Sequence, residues 1–220
     1  PYSSQSAFAG NPLLISPELL AQEGLLHEAD LAEAPAFPGH EVDYASVIAF
    51  KTKLLERAHE NFKNRHLGEH DELHTFMHAN AWWLDDYALF VALREQFDGA
   101  LWGDWPWELR TRQERALQGA REQLHDRIAR EQFIQFLFFQ QWLALKRYCN
   151  RKHIHIIGDI PIYVNYDSAD VWSHSHLFKL DEQRKSRLVS GVPPDYFSAT
   201  GQLCGSVVYE WDTLRATNYA

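Results

Sequence analysis

Ile154-His155-Ile156-Ile157-Gly158-Asp159-Ile160-Pro161 is the point at which the periodicity of this chain changes. Upstream, Phe133, Leu137, Phe138, Trp142 and Leu145 recur at helical spacing, and Ile134 and Phe136 widen the stripe, so a well-buried helix is expected there. The β-branched run 154–157 then reads as a short buried strand, closed by Gly158 and by a Pro that cannot extend a ladder. A buried helix followed closely by such a strand is the α-to-β step of an α/β protein. Asp159 falls at the strand's end. In a barrel of parallel strands, side chains at that end line the active-site mouth. An Asp in the same place can equally cap the next segment or tighten a turn.

Working outward, Gly10-Asn11-Pro12 marks a turn, and Ser16-Pro17-Glu18 opens a short helix that Ser16 can cap. Residues 34–42 hold two Pro and a Gly and read as a loop. Helices are expected over 44–64 and from 69 to about 96, the second carrying Trp82, Trp83, Tyr87 and Phe90. Trp102-Gly103-Asp104-Trp105-Pro106-Trp107 breaks the helices as a surface loop or hairpin tip. Residues 110–123 are charged, with few large apolar side chains, which predicts a solvated helix. Residues 193–197 and 201–205 read as loops, and there is no internal repeat.

At 220 residues and 45% hydrophobic, the chain can bury a sizeable core. A formal net charge of -9 without a basic block argues against nucleic acid and anionic membranes as partners. Cys149 and Cys204 make no disulfide framework, which favours a reduced, cytoplasmic chain. No apolar run approaches the roughly 20 residues that span a bilayer. Eight Trp and nine Tyr are many for this length. Most should pack in the core, but exposed rings can stack on sugar faces.

Local chemistry is sparse. His70, His74 and His78 share a helical face, yet Glu72 is displaced by one position from the place a zinc-protease helix requires. A solvated face is the simpler reading, so neither a metal nor another cofactor is expected. His153 with His155, and His174 with His176, lack a third ligand nearby. Cys204 sits in an expected loop without a local His, and there is no Gly-x-Ser-x-Gly elbow or phosphate-cradling Gly loop.

Four motifs in order carry the reading further. Pro1-Tyr2-Ser3-Ser4-Gln5-Ser6-Ala7-Phe8-Ala9-Gly10-Asn11-Pro12 resembles a hallmark of the amylomaltases, or disproportionating enzymes. Trp82-Trp83-Leu84-Asp85-Asp86-Tyr87-Ala88-Leu89-Phe90 is similar to that family's helical insertion. Ile157-Gly158-Asp159-Ile160-Pro161-Ile162-Tyr163-Val164, followed by Ser168-Ala169-Asp170-Val171-Trp172, resembles its strand-end motif. Gly191-Val192-Pro193-Pro194-Asp195-Tyr196-Phe197-Ser198 resembles its mobile active-site loop.

The resemblance implies an α/β fold, part of a (β/α)8 TIM barrel of the α-amylase type with an inserted helical subdomain. Residues 1–43 would form an N-terminal barrel segment and cleft loop. Residues 44–130 would be the helical insertion, and 131–220 a barrel helix, the strand ending at Asp159 and the active-site loop region. It implies a 4-α-glucanotransferase that moves α-1,4-glucan segments between malto-oligosaccharides by retaining double displacement. Such chemistry needs two carboxyl groups about 5 Å apart. The family's Arg-x-Asp-His-Phe and Glu-Asp-Leu-Gly segments, which supply them, do not occur in these 220 residues, so no catalytic residue is assigned.

The resemblance does assign substrate-binding roles to Tyr2, Asp159, Tyr196 and Phe197. Tyr2 and Asp159 would contact the sugar beside the scissile bond, while Tyr196 and Phe197 would fold over the glucan and exclude water. Cys204 stands where the family usually carries a Trp that stacks on sugar, a contact worth about 0.5–1.5 kcal/mol beyond area burial. The rival reading is a non-catalytic α-glucan-binding protein on the same scaffold. Three strands of a closed barrel would also leave sheet edges and core exposed, so association or poor folding is expected of this chain by itself.

Overall fold

A computed structural model describes residues 4–64, 67–159 and 162–219, the side chains of 67–70 excepted. The helices are α1 (Pro17–Gln22), α2 (Glu28–Ala32), α3 (Tyr44–Lys63), α4 (Leu67–Gln96), α5 (Trp107–Arg110), α6 (Glu114–Gln123), α7 (His125–Arg151), α8 (Ala169–Ser173) and α9 (Trp211–Ala216). Two strands, β1 (Val189–Val192) and β2 (Gln202–Val207), pair antiparallel between α8 and α9. Among the described residues no helix is long and apolar enough to cross a membrane. The chain divides into two compact units, one of Gly10–Leu84 with Ala129–Ile157, the other of Pro1–Ala9, Asp85–Ile128 and Gly158–Ala220.

In the first of these, α1 begins where expected: Ser16 accepts the Leu19 N–H on its hydroxyl, and Pro17 occupies the first turn. The face of α3 bearing Leu54, Leu55, Ala58 and Phe62 joins Phe133, Ile134 and Leu137 of α7, together with Ile15, Leu20, Leu25 and Leu26, in one buried cluster. The stripe read from the sequence is therefore core in its N-terminal half only. Leu143 and Leu145 are exposed, contrary to the expectation for that helix. The helical period was right, but a period says which side chains share a face and not whether anything covers it.

The expected buried strand at 154–157 is not formed. Those residues belong to no helix or strand and have no ladder partner among the described residues, and Ile154, Ile156 and Ile157 are exposed. A strand is stabilised by its neighbours, so β-branched content cannot form one where none pairs with it.

The other unit is built on tryptophan. Trp102 and Trp172 are fully buried and Trp105 nearly so, which corrects the surface reading for Trp102 and Trp105, while Asp104, Pro106 and Trp107 are exposed. The turn was real, since a 3-10 turn spans Trp102–Asp104. Its rings, however, turn inward against Phe90, Tyr166 and Trp172. Each indole N–H finds a carbonyl: Trp102 donates to Tyr166, Trp105 to Ala100 and Trp172 to Leu109. Arg112 lies over the Trp172 ring at 4.3 Å and pairs with Asp86 at 2.7 Å. The charged stretch 110–123 forms α6 from Glu114, with Leu117 and Ala120 buried and the rest mostly exposed.

Candidate functional site

The hairpin presents the sequence-predicted aromatics. β1 and β2 run antiparallel in the register Val192 opposite Gln202 and Gly191 opposite Leu203, with an irregularity between Val189 and Gly191. The connection between them is a built turn. The Asp195 carboxylate accepts the backbone N–H groups of Phe197 at 2.9 Å and Ser198 at 2.8 Å, the local bond that makes Asp a turn residue. Ser198 donates its hydroxyl to the Gly201 carbonyl at 2.7 Å. Gly201 sits at φ +75°, where a Cβ would lie 2.5 Å from the Val192 carbonyl, so only glycine closes this turn.

At its tip Tyr196 and Phe197 are 96% and 89% exposed, with their rings perpendicular at 5.6 Å. Two large rings held in water forgo about 1.5–3 kcal/mol of burial each, a cost that a bound apolar surface would recover. Cys204 is a free, exposed thiol on β2 rather than in a loop, beside Leu203, which is 80% exposed. Polar and glycine content made 201–205 read as a loop, and pairing with β1 made it a strand.

Asp159 is exposed and lies outside any helix or strand. The chain beyond it is tied to the foot of the hairpin: Tyr163 stacks on Tyr209 at 5.9 Å, and the Tyr209 hydroxyl donates to the Ile162 carbonyl. Tyr209 stacks in turn on Phe178 and packs against Trp211. Burial, and then the neighbouring Asp170, push the Tyr209 phenol up. Burial likewise pushes the Asp170 carboxyl up, against the opposing hydrogen bond from the Ala7 N–H. Sequence reasoning placed Asp170 in a family motif without giving it a role.

Tyr2 lies outside the described residues. Description begins at Ser4: Ser6 is buried, and its hydroxyl accepts from the N–H groups of Phe8 and Ala9. His74 and His78 are exposed on α4, and the His70 side chain lies outside the described residues.

The 4-alpha-glucanotransferase profile, glycoside hydrolase family 77, matches residues 1–220. The chain belongs to that family. It is 46% identical to the 4-alpha-glucanotransferase of Synechocystis and 45% identical to that of Thermus thermophilus. Both alignments cover 100% of this chain, but 44% and 43% of those proteins, so the chain spans less than half of their length. The amylomaltase of Streptococcus agalactiae, solved in complex with acarbose, superposes over 100% of this chain and 44% of its own with a TM-score of 0.94 at 38% identity. The fold of this chain is thus that of the corresponding part of an amylomaltase, represented among the described residues by helices and one small two-stranded sheet.

Proposed function

We propose that this chain supplies the sugar-binding side of a 4-α-glucanotransferase that transfers α-1,4-glucan segments with retention of configuration. Its 154–159 segment would be a strand of a partial (β/α)8 barrel, paired with strands that its longer relatives possess. Tyr2 and Asp159 would hold the sugar at the scissile bond, and Tyr196 and Phe197 would cover the glucan. The carboxyl pair that retaining transfer requires, about 5 Å apart, is not assigned within 1–220. A reaction carried out on soluble malto-oligosaccharides suits an acidic, cytoplasmic protein.

The observation that carries this reading is the hairpin tip. A turn closed by the Asp195 carboxylate holds two aromatic rings almost fully in water, in a chain of this family, and a sugar's apolar face is the surface such rings complement. The solved relative bound to acarbose supports the same choice of ligand class.

Binding is tested by titrating the protein with acarbose or maltoheptaose and following the heat released. Phe197→Ala should weaken binding by roughly tenfold, the equivalent of about 1.4 kcal/mol. Unchanged affinity would remove the tip from the site. Incubated with maltotriose, these 220 residues should give no ladder of longer products. A ladder would mean that a sufficient carboxyl pair lies among them. A reading frame that includes both carboxylate segments should give one, and glucan binding without turnover there would favour the non-catalytic alternative.

A further inference from the structure

An open groove of about 360 Å³ lies in the unit that contains Asp85–Ile128, between the end of α4, α5 and α6. Its volume falls at the lower end of roughly 300–1,000 Å³, the usual range for small-molecule sites. The groove exists because α6 has little to put into it. Ala116, Gly119 and Ala120 recur at helical spacing along its wall, and a Cβ added at Gly119 would meet nothing within 4 Å. Leu93 and the half-buried Phe97 add apolar surface from the end of α4, with Phe97 braced by the Trp105 ring at 5.8 Å.

Three polar side chains complete the lining: Gln96, Glu108 and Gln123. All three are exposed, and among the described residues none of them spends its side chain on a hydrogen bond or an ion pair. Two carboxamides and a carboxylate offer donors and acceptors side by side, which is what adjacent hydroxyl groups require. No Lys, Arg or His lines the groove, so an anionic ligand would find no counter-charge. Among the described residues no group of His, Cys, Asp or Glu could hold a metal ion. A neutral ligand with an apolar face and several hydroxyls matches both parts of the lining, and a sugar ring has that character. Resting on the glucan-binding reading above for the choice of sugar, we infer that this groove is a second carbohydrate site, which docks a strand of α-1,4-glucan and shares no residue with the hairpin.

Isotope-labelled protein titrated with maltoheptaose, and followed by amide correlation spectra, reads the two sites separately. The side-chain amides of Gln96 and Gln123 and the backbone N–H of Gly119 report the groove, and the Phe197 N–H reports the hairpin tip. In the wild type both sets should shift and saturate. Gly119→Leu fills the groove from a position where the added side chain starts in open space, and Leu is the better helix former, so this variant should fold. It should weaken binding read at Gln96 and Gln123 by at least about tenfold and leave the Phe197 titration within about twofold. Gln96→Ala combined with Gln123→Ala leaves the groove open and should weaken binding read at Gly119 several-fold.

Groove signals that stay still in the wild type while Phe197 shifts overturn the second site and leave the hairpin reading intact. Groove signals that saturate in Gly119→Leu as they do in the wild type overturn it too, as does unchanged affinity in the double glutamine variant. Signals that stay still at both places overturn the glucan reading and the docking site with it. An apolar segment of another protein is the rival occupant, and anilinonaphthalene sulfonate is its probe. Groove signals that move with this dye and not with maltoheptaose would assign the groove to that rival and end the proposal.

Discussion

Tyr166 shows how a single side chain is committed by its surroundings. Its ring stacks on Trp102 at 4.9 Å, its hydroxyl donates to the Arg184 carbonyl at 2.8 Å, and Gly103 has no side chain because a Cβ there would collide with that hydroxyl. Burial, and then the nearby Asp104 carboxylate, push its phenol up to about 12. An unfolded tyrosine ionises near about pH 10. Between about pH 10 and about 12 the unfolded chain therefore releases a proton that the folded chain retains. The stability contribution is complete below about pH 10 and is lost as pH rises through that window. Urea midpoints should fall across this range more steeply in the wild type than in Tyr166→Phe, which should also be weaker at neutral pH for want of the Arg184 bond. Equal slopes in the two proteins would remove Tyr166 from the alkaline transition. Nothing in the sequence distinguishes Tyr166 from the other eight tyrosines, because its partners lie 18 and 64 residues away.

At the scale of elements, α7 holds the chain that precedes α1 by mimicking a strand. Gln135, fully buried, accepts the Gly10 N–H at 2.8 Å and donates to the Gly10 carbonyl at 3.1 Å. Gln141 repeats the same exchange with Ser16, at 2.8 and 3.2 Å. A side-chain amide carries one donor and one acceptor in the geometry of a peptide group, so it can replace a ladder partner. Removing it leaves two backbone groups unpaired. Gln135→Met should cost about 1–3 kcal/mol of unfolding free energy, against less than about 0.5 kcal/mol for Gln118→Ala on the exposed face of α6. Denaturant unfolding checks this, and a Gln135→Met loss no larger than the Gln118 one would show that water replaces the amide without penalty. Helix positions were legible because period and caps are local, as Ser16 shows. The two clasps were not, because a Gln inside an apolar stripe has no sequence sign of its distant partner.

For the molecule as a whole, the notable property is how much apolar surface stays in water along one stretch. Leu143, Leu145, Tyr148, Ile154, Ile156 and Ile157 are all exposed, Ile157 at 93%. Monomeric proteins rarely leave large apolar patches uncovered. At rising concentration this protein should therefore associate, with the sedimentation coefficient climbing accordingly, and Ile157→Lys should reduce the effect. A single species of constant size, with the same sharp unfolding transition at every concentration, would contradict it. The formal net charge of -9 opposes association, so added salt should strengthen it by screening.

Sequence alone determined the family, because four motifs in order are a specific combination. It also located the principal helices, whose signals lie within a few residues of one another. The candidate side chains Tyr196 and Phe197 were named from a motif, while their exposure was decided by the fold: Asp195, Gly201 and the pairing of β1 with β2 hold them outward. Burial was the property sequence read worst, in both directions. Trp102 and Trp105 looked like loop residues and became core, while Ile154, Ile156 and Ile157 looked like core and lie in water. Hydrophobicity states what a side chain would gain by burial; only the tertiary arrangement determines whether a neighbour is there to bury it.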